Sequence, residues 1–181
     1  MIVTSPARRG GGDAALFSGG GISRRRLLAA AALSVVLPAK AADSGRRIRW
    51  SDVVLHDGRV LRASELTGRT VVIEFWATWC PFCKKQNPYL QALHAKHGGE
   101  ALKVLTFSID RTPDLVAAYM KERGYTFAVA MAGPQSAQWF PDRKGLPVVY
   151  VVDPAGRIVF HEAGELFEED ILGLARFAAR P

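Results

Sequence analysis

The stretch VVIEFWATWCPFC at positions 71–83 constrains this chain more than any other feature. A continuous apolar run without alternation marks a strand buried on both faces, as at the centre of an α/β sheet. Cys80 and Cys83, at its end, are the only 2 cysteines in 181 residues. A bond across two intervening residues removes little denatured-state entropy, so the pair is a poor staple and reads as chemistry. Metal binding competes with that reading, because His94 and His97 stand at a spacing close to that of a zinc finger. However, Cys83 and His94 fall on one predicted helix. At ~1.5 Å per residue they are roughly 16 Å apart, against ligand distances of ~2.0–2.3 Å, so no metal site is expected. Haem attachment requires histidine after the second cysteine, where Lys84 stands.

The rest of the chain reads as scaffold for that pair. Ile48–His56, the Asp57-Gly58 turn and Arg59–Arg62 predict an N-terminal β-hairpin, followed by a turn at Ser64–Thr67. Thr70–Trp76 predicts the buried strand, and a helix follows to His97, stopped by Gly98-Gly99. A second buried strand is expected over Leu102–Ile109. Thr112-Pro113-Asp114 supplies an N-cap, a first-position proline and a first-turn acid for a helix ending at Gly124. Tyr125–Met131 predicts a short strand and Pro134–Phe140 an irregular or helical connection. Pro147–Val152 and Arg157–Ala163 form a second hairpin, and Phe167–Arg180 an amphipathic closing helix. The order implies an α/β domain with a partly parallel sheet.

A formal net charge of +7 raises nucleic acid as a partner. Its location argues otherwise. Residues 1–41 hold six bases (Arg8, Arg9, Arg24, Arg25, Arg26, Lys40) against one acid, Asp13, which leaves only +2 for residues 42–181. No nucleic-acid partner is expected. Ser23-Arg24-Arg25-Arg26-Leu27-Leu28, an apolar run to Leu37 and Ala39-Lys40-Ala41 read as a basic region, a short hydrophobic region and a cleavage site. The run falls well short of the ~20 residues that cross a bilayer. Residues 1–41 are therefore expected to be a signal peptide resembling the twin-arginine type, with an ordinary secretory signal or an uncleaved anchor as alternatives. Each places the domain at 42–181 outside the cytoplasm, in the periplasm.

On VVIEFWATWCPFC, on Pro88 five residues after Cys83, and on Gly145-Leu146-Pro147 ahead of VVYVVDPAG, the chain resembles the thioredoxin superfamily. Within it the resemblance is to the exported TlpA/ResA-like thiol–disulfide oxidoreductases. It runs from about Trp50 to Phe177. The resemblance implies a thioredoxin-like fold, a central mixed sheet flanked by helices, with an N-terminal β-hairpin. It also implies catalysis by Cys80 and Cys83 without a cofactor, with exported protein thiols and disulfides as substrates and a DsbD- or CcdA-type membrane electron donor. Such proteins often keep the haem-binding cysteines of apocytochromes reduced, although the G-x-P-E-T loop of dedicated cytochrome c-type biogenesis members is absent, Pro147 being followed by Val148-Val149.

Physical chemistry supports the assignments individually. Cys80 at a helix N-terminus gains thiolate character from unpaired N–H groups and the helix dipole, and Pro81 loses nothing there. Cys83, one turn on and more enclosed, suits the resolving role. Glu74 stands where thioredoxins have a buried carboxylate and is expected to be catalytic, moving a proton to or from Cys83, unless it is a strand-edge residue reaching solvent. Two departures from the family are visible. The lysine that partners this carboxylate in thioredoxins aligns with Thr106, and Gln86 stands where many relatives carry an acid, so no acid–base role is expected there. Pro147 resembles the superfamily's cis-proline, with Leu146 offering backbone to a substrate strand, the alternative being a trans proline that merely opens a strand. Trp79 and Phe82 are expected to contact partners, and Trp76 either walls the site or belongs to the core. Two other functions remain open: thiol oxidase or isomerase action, and Sco-like copper delivery using both thiolates and His161.

Overall fold

A computed structural model of the chain describes residues 47–99 and 101–178. The signal sequence expected at 1–41 lies outside them. Seven strands and four α-helices follow in the order β1 (Val53–Val54), β2 (Val60–Leu61), β3 (Thr70–Trp76), α1 (Pro81–His97), β4 (Leu102–Ser108), α2 (Pro113–Arg123), β5 (Ala128–Met131), α3 (Pro134–Trp139), β6 (Val148–Val152), β7 (Ile158–Ala163) and α4 (Glu168–Gly173). The main sheet has the order β5-β4-β3-β6-β7. The β3–β4 and β4–β5 pairs are parallel, while β3–β6 and β6–β7 are antiparallel. This is the mixed sheet that the sequence predicts, with β3 in the middle and buried along its whole length.

Alternation along β3 divides the core in two. Val72 and Trp76 face a cluster that contains Leu90 and Leu93 of α1, Val116 and Met120 of α2, and Ile171 of α4. Val71, Ile73 and Phe75 face a second cluster with Ile48, Val53, Leu66, Trp139 and Phe140. Trp76 is fully buried, its indole Nε1 donates to Thr106 Oγ1 at 3.0 Å, and it belongs to the core cluster that also contains Cys80 and Cys83.

The hairpin is present but much shorter than its apolar residues suggest, with two residues per strand. The segment ahead of it is held by other means. The Ile48 amide donates to Gly156 O at 2.7 Å, and Trp139 Nε1 donates to Arg49 O at 3.2 Å. The expected turn after the hairpin is a 3-10 turn at Ala63–Glu65. Thr112 occupies the N-cap of α2 but makes no capping hydrogen bond through its side chain; Pro113 and the left-handed Gly124 delimit that helix. The closing helix ends early. After α4 the chain tightens into a 3-10 turn at Leu174–Phe177, pinned by Thr70 Oγ1 donating to Phe177 O at 2.7 Å. Among the described residues no helix is long and apolar enough to cross a membrane.

Candidate active site

Leaving β3, the chain turns through Ala77–Trp79, with the Cys80 amide donating to Ala77 O at 3.2 Å. Asp110, just past β4, holds this turn. Its carboxylate accepts from the Thr78 amide at 2.9 Å, from Thr78 Oγ1 at 2.7 Å and from Ser108 Oγ at 2.6 Å. Cys80 is the N-cap of α1 and Pro81 takes the first helical position. Cys80 and Cys83 form a disulfide with Cα atoms 5.3 Å apart. The Cys83 amide points at Cys80 Sγ, 3.2 Å away. That donor and the helix dipole stabilise negative charge on this sulfur once the bond is opened. Cys80 retains 3% exposure and Cys83 none, so an incoming group meets Cys80 first. Beside them Trp79 and Phe82 stand 63% and 49% exposed.

Pro147 comes immediately before β6. The Phe75–Val148 register places it at the end of the sheet where the Cys80 turn departs, and the Leu146–Pro147 peptide is cis. Gly145, before it, has a φ of 75°, which suits a residue without Cβ. Leu146 is half-buried between the two core clusters. The Pro147 carbonyl accepts from the Gly164 amide at 2.8 Å, linking this corner to the β7–α4 loop.

Beneath the disulfide lies Glu74, on the central strand and fully buried, so the strand-edge alternative fails. Burial pushes its carboxyl up to about 8, partly countered by a hydrogen bond from Gln86. Gln86 Nε2 donates to Glu74 Oε1 at 2.6 Å, and Gln86 Oε1 accepts from the Leu166 amide at 2.6 Å. Asn87, with its amide nitrogen turned inward, donates to Glu74 Oε2 at 3.1 Å and to Cys83 O at 3.2 Å. Thr106, which aligns with the partner lysine of thioredoxins, lies directly across from Glu74 on β4, and its hydroxyl serves Trp76 and the Ala128 carbonyl. Such a carboxyl carries its proton at neutral pH and can exchange it when the sulfur chemistry changes the local charge.

Sequence reasoning missed Asp110, Asn87 and the part played by Gln86. A signal for the last two was present: Cys83, Gln86, Asn87 and Leu90 share one helical stripe, so both amides fall on the buried face. Asp110 had no such signal for the turn it holds, because Thr78 lies 32 residues away in the chain. His161, the histidine of the copper reading, lies on β7 and stacks on Tyr150 with ring centroids 4.3 Å apart. Tyr150 packs in the cluster on the sheet face away from α1.

A family model described as Redoxin matches residues 40–174. The chain is 27% identical over 117 residues to the thiol-disulfide oxidoreductase ResA of Bacillus thuringiensis (strain Al Hakam), covering 65% of this chain and 68% of that one. It is 28% identical over 120 residues to ResA of Bacillus subtilis (strain 168), covering 65% and 67%. Among solved structures it superposes on a thiol:disulfide interchange protein of the thioredoxin family from Chlorobium tepidum TLS. The TM-score there is 0.66 at 23% identity, over 74% of this chain and 97% of the other. StoA from Bacillus subtilis gives 0.60 at 18% identity, over 71% and 98%. These structural likenesses show the thioredoxin-like fold. The chain belongs to the Redoxin family, in its TlpA/ResA-like thioredoxin branch, and is a thiol–disulfide oxidoreductase.

Proposed function

We propose that this protein is exported to the periplasm by a twin-arginine-like signal at 1–41 and there reduces disulfides in exported proteins. The observation that carries the reading is the placement of Cys80, with slight exposure at the N-terminus of α1, at the end of the sheet where the Leu146–Pro147 corner lies. In the reduced enzyme the Cys80 thiolate attacks one sulfur of a client disulfide. A mixed disulfide forms and the client's other sulfur leaves as a thiolate. Cys83 then attacks Cys80 Sγ, re-forming the internal bond and releasing the client's second thiolate. Two electrons pass to the client, and water or nearby groups protonate its two thiolates. In reduced molecules whose Glu74 is ionised, this carboxylate takes the proton that Cys83 gives up before its attack. The disulfide form therefore stores that proton, which returns to Cys83 when a membrane donor of the DsbD or CcdA type supplies two electrons.

Leu146 presents backbone to an extended client segment, Pro147 keeps a competing N–H away from it, and Trp79 and Phe82 supply apolar contact. Pro81 and Phe82 between the cysteines tune the potential, and here oxidase or isomerase action is the rival reading. The potential of the Cys80–Cys83 couple decides. A value below ~−220 mV supports the reductase and one near ~−120 mV the oxidase. Capture of exported proteins as mixed disulfides by Cys83→Ser, made in the producing cell, identifies clients. Mature protein retained in the cytoplasm with residues 1–41 intact overturns the export.

A further inference from the structure

The segment ahead of the hairpin borders a cavity of about 240 Å³ that the thiol chemistry does not use. Its walls are Arg47, Ile48, Arg49 and Ser51 on one side, and Gln138 and Trp139 of α3 on the other. Ile48 and Trp139 belong to the core cluster on the sheet face away from α1, whereas Cys80 and Cys83 belong to the opposite one. Arg47, Arg49 and Ser51 stand at every second position, as side chains on one face of an extended segment do. The segment is held in place at three points. The Ile48 amide donates to Gly156 O at 2.7 Å, Trp139 Nε1 donates to Arg49 O at 3.2 Å, and Gln135 Nε2 donates to Ser51 Oγ at 2.7 Å.

The polar groups of this wall are donors. Among the described residues no ion pair involves Arg47 or Arg49. Arg47 lies opposite Arg157 across an antiparallel bridge, a like-charge pair that is unfavourable by itself. Asp153 already pairs with Arg157 at 2.7 Å, and Asp52 with Arg62 at 2.7 Å, so neither acid neutralises the two arginines. Ser51 Oγ receives the Gln135 hydrogen and keeps its own proton to donate. A carboxylate is satisfied by one guanidinium fork; two forks and a hydroxyl match the larger oxygen set of a phosphate group. The volume falls below the ~300–1,000 Å³ of sites for drug-sized ligands, which suits a phosphate with at most a small substituent. We propose that Arg47, Arg49 and Ser51 form a binding site for a phosphate group, whether of free phosphate or of a lipid headgroup.

The test titrates the oxidised full chain at constant ionic strength with three probes: inorganic phosphate, glycerophosphoglycerol (the soluble headgroup of phosphatidylglycerol) and acetate. Proton–nitrogen NMR follows the arginine Nε–H groups and the Trp139 indole. The expected result is a saturable shift of Arg47, Arg49 and Trp139 with a phosphate probe. Arg47→Gln and Arg49→Gln should each weaken that binding about tenfold, since each removes one charge-assisted contact. Arg59→Gln, made at an exposed arginine that pairs with Asp57 outside the cavity, should bind as the parent does. Tighter binding of inorganic phosphate identifies free phosphate as the ligand, and tighter binding of the diester identifies a headgroup. The proposal is overturned if neither phosphate probe saturates, if acetate binds as tightly, or if Arg47→Gln and Arg49→Gln weaken binding no more than Arg59→Gln. All three arginines are exposed and none takes part in the thiol chemistry, so fold and disulfide exchange should be the same in every variant. A chain that binds phosphate but exchanges no disulfides would sink the function and keep this inference, and an active enzyme without the shifts would do the reverse.

Discussion

Replacing Glu74 by Gln should stabilise the oxidised protein, by an amount set by pH. In the native state burial holds the carboxyl proton to about pH 8, while the unfolded chain releases it near the ordinary 4.5. Below 4.5 both states are protonated and the stability is fully present. As the pH rises from there to about 8, the unfolded state gives up its proton and the native state keeps it, so stability falls. Above 8 the loss is complete and constant. At ~1.36 kcal/mol per unit the full cost is about 5 kcal/mol, and roughly 3 kcal/mol of it is already incurred at pH 7. Gln at 74 still accepts from Gln86 through its carbonyl, and its NH2 takes the place of the carboxyl O–H of the neutral acid. The titration disappears. Urea unfolding of parent and variant at constant ionic strength, from pH 4 to pH 9, measures the difference. Working on the disulfide form keeps Cys80 and Cys83 from titrating. The two should be nearly equal at pH 4, diverge by about 1.4 kcal/mol per unit between pH 5 and pH 8, and keep a constant difference above that. A difference independent of pH, or a variant less stable throughout, would falsify the view that Glu74 is buried as a neutral acid.

Three further outcomes are expected. Asp110→Ala leaves the Thr78 amide, Thr78 hydroxyl and Ser108 hydroxyl without their acceptor, and should cost about 2–4 kcal/mol in denaturant unfolding while slowing alkylation of reduced Cys80. Trp79→Ala and Phe82→Ala should change stability by no more than about 0.5 kcal/mol because both side chains are largely exposed, yet raise the KM for a protein disulfide while leaving reaction with a small disulfide unchanged. Gly156→Ala should destabilise by about 2 kcal/mol or more: the residue has a φ of 81° and an added Cβ would stand 2.6 Å from the Ile48 carbonyl oxygen, so the thermal midpoint should fall and the Ile48 amide should exchange faster.

The elements read best from sequence were those whose signals are local. β3 and α1 were expected over the spans they occupy, since an uninterrupted apolar run has no amphipathic alternative and Pro81 and Gly98 mark the helix ends. The hairpin and the closing helix were read too long for the same reason in reverse. Ile48 and Trp50 signal burial without saying by what partner, and here a backbone contact from Ile48 to the β6–β7 turn replaces a strand pair. Past Gly173 the helical pattern continues, but the chain tightens to bring the Phe177 carbonyl to Thr70.

By itself the sequence determined the redox pair, its place at a helix N-terminus after a buried strand, and the proline ahead of β6, because each depends on residue types at fixed short spacing. The tertiary structure decided what surrounds them. Gln86, which the sequence offered only as a missing acid, became the partner of Glu74 once α1 packed across β3 and the Leu166 amide arrived from 80 residues away. Asp110 became the brace of the Cys80 turn through the parallel pairing of β3 and β4. A buried polar group must find its partner wherever packing brings one. Such partners lie far apart in the chain, and no local pattern announces them.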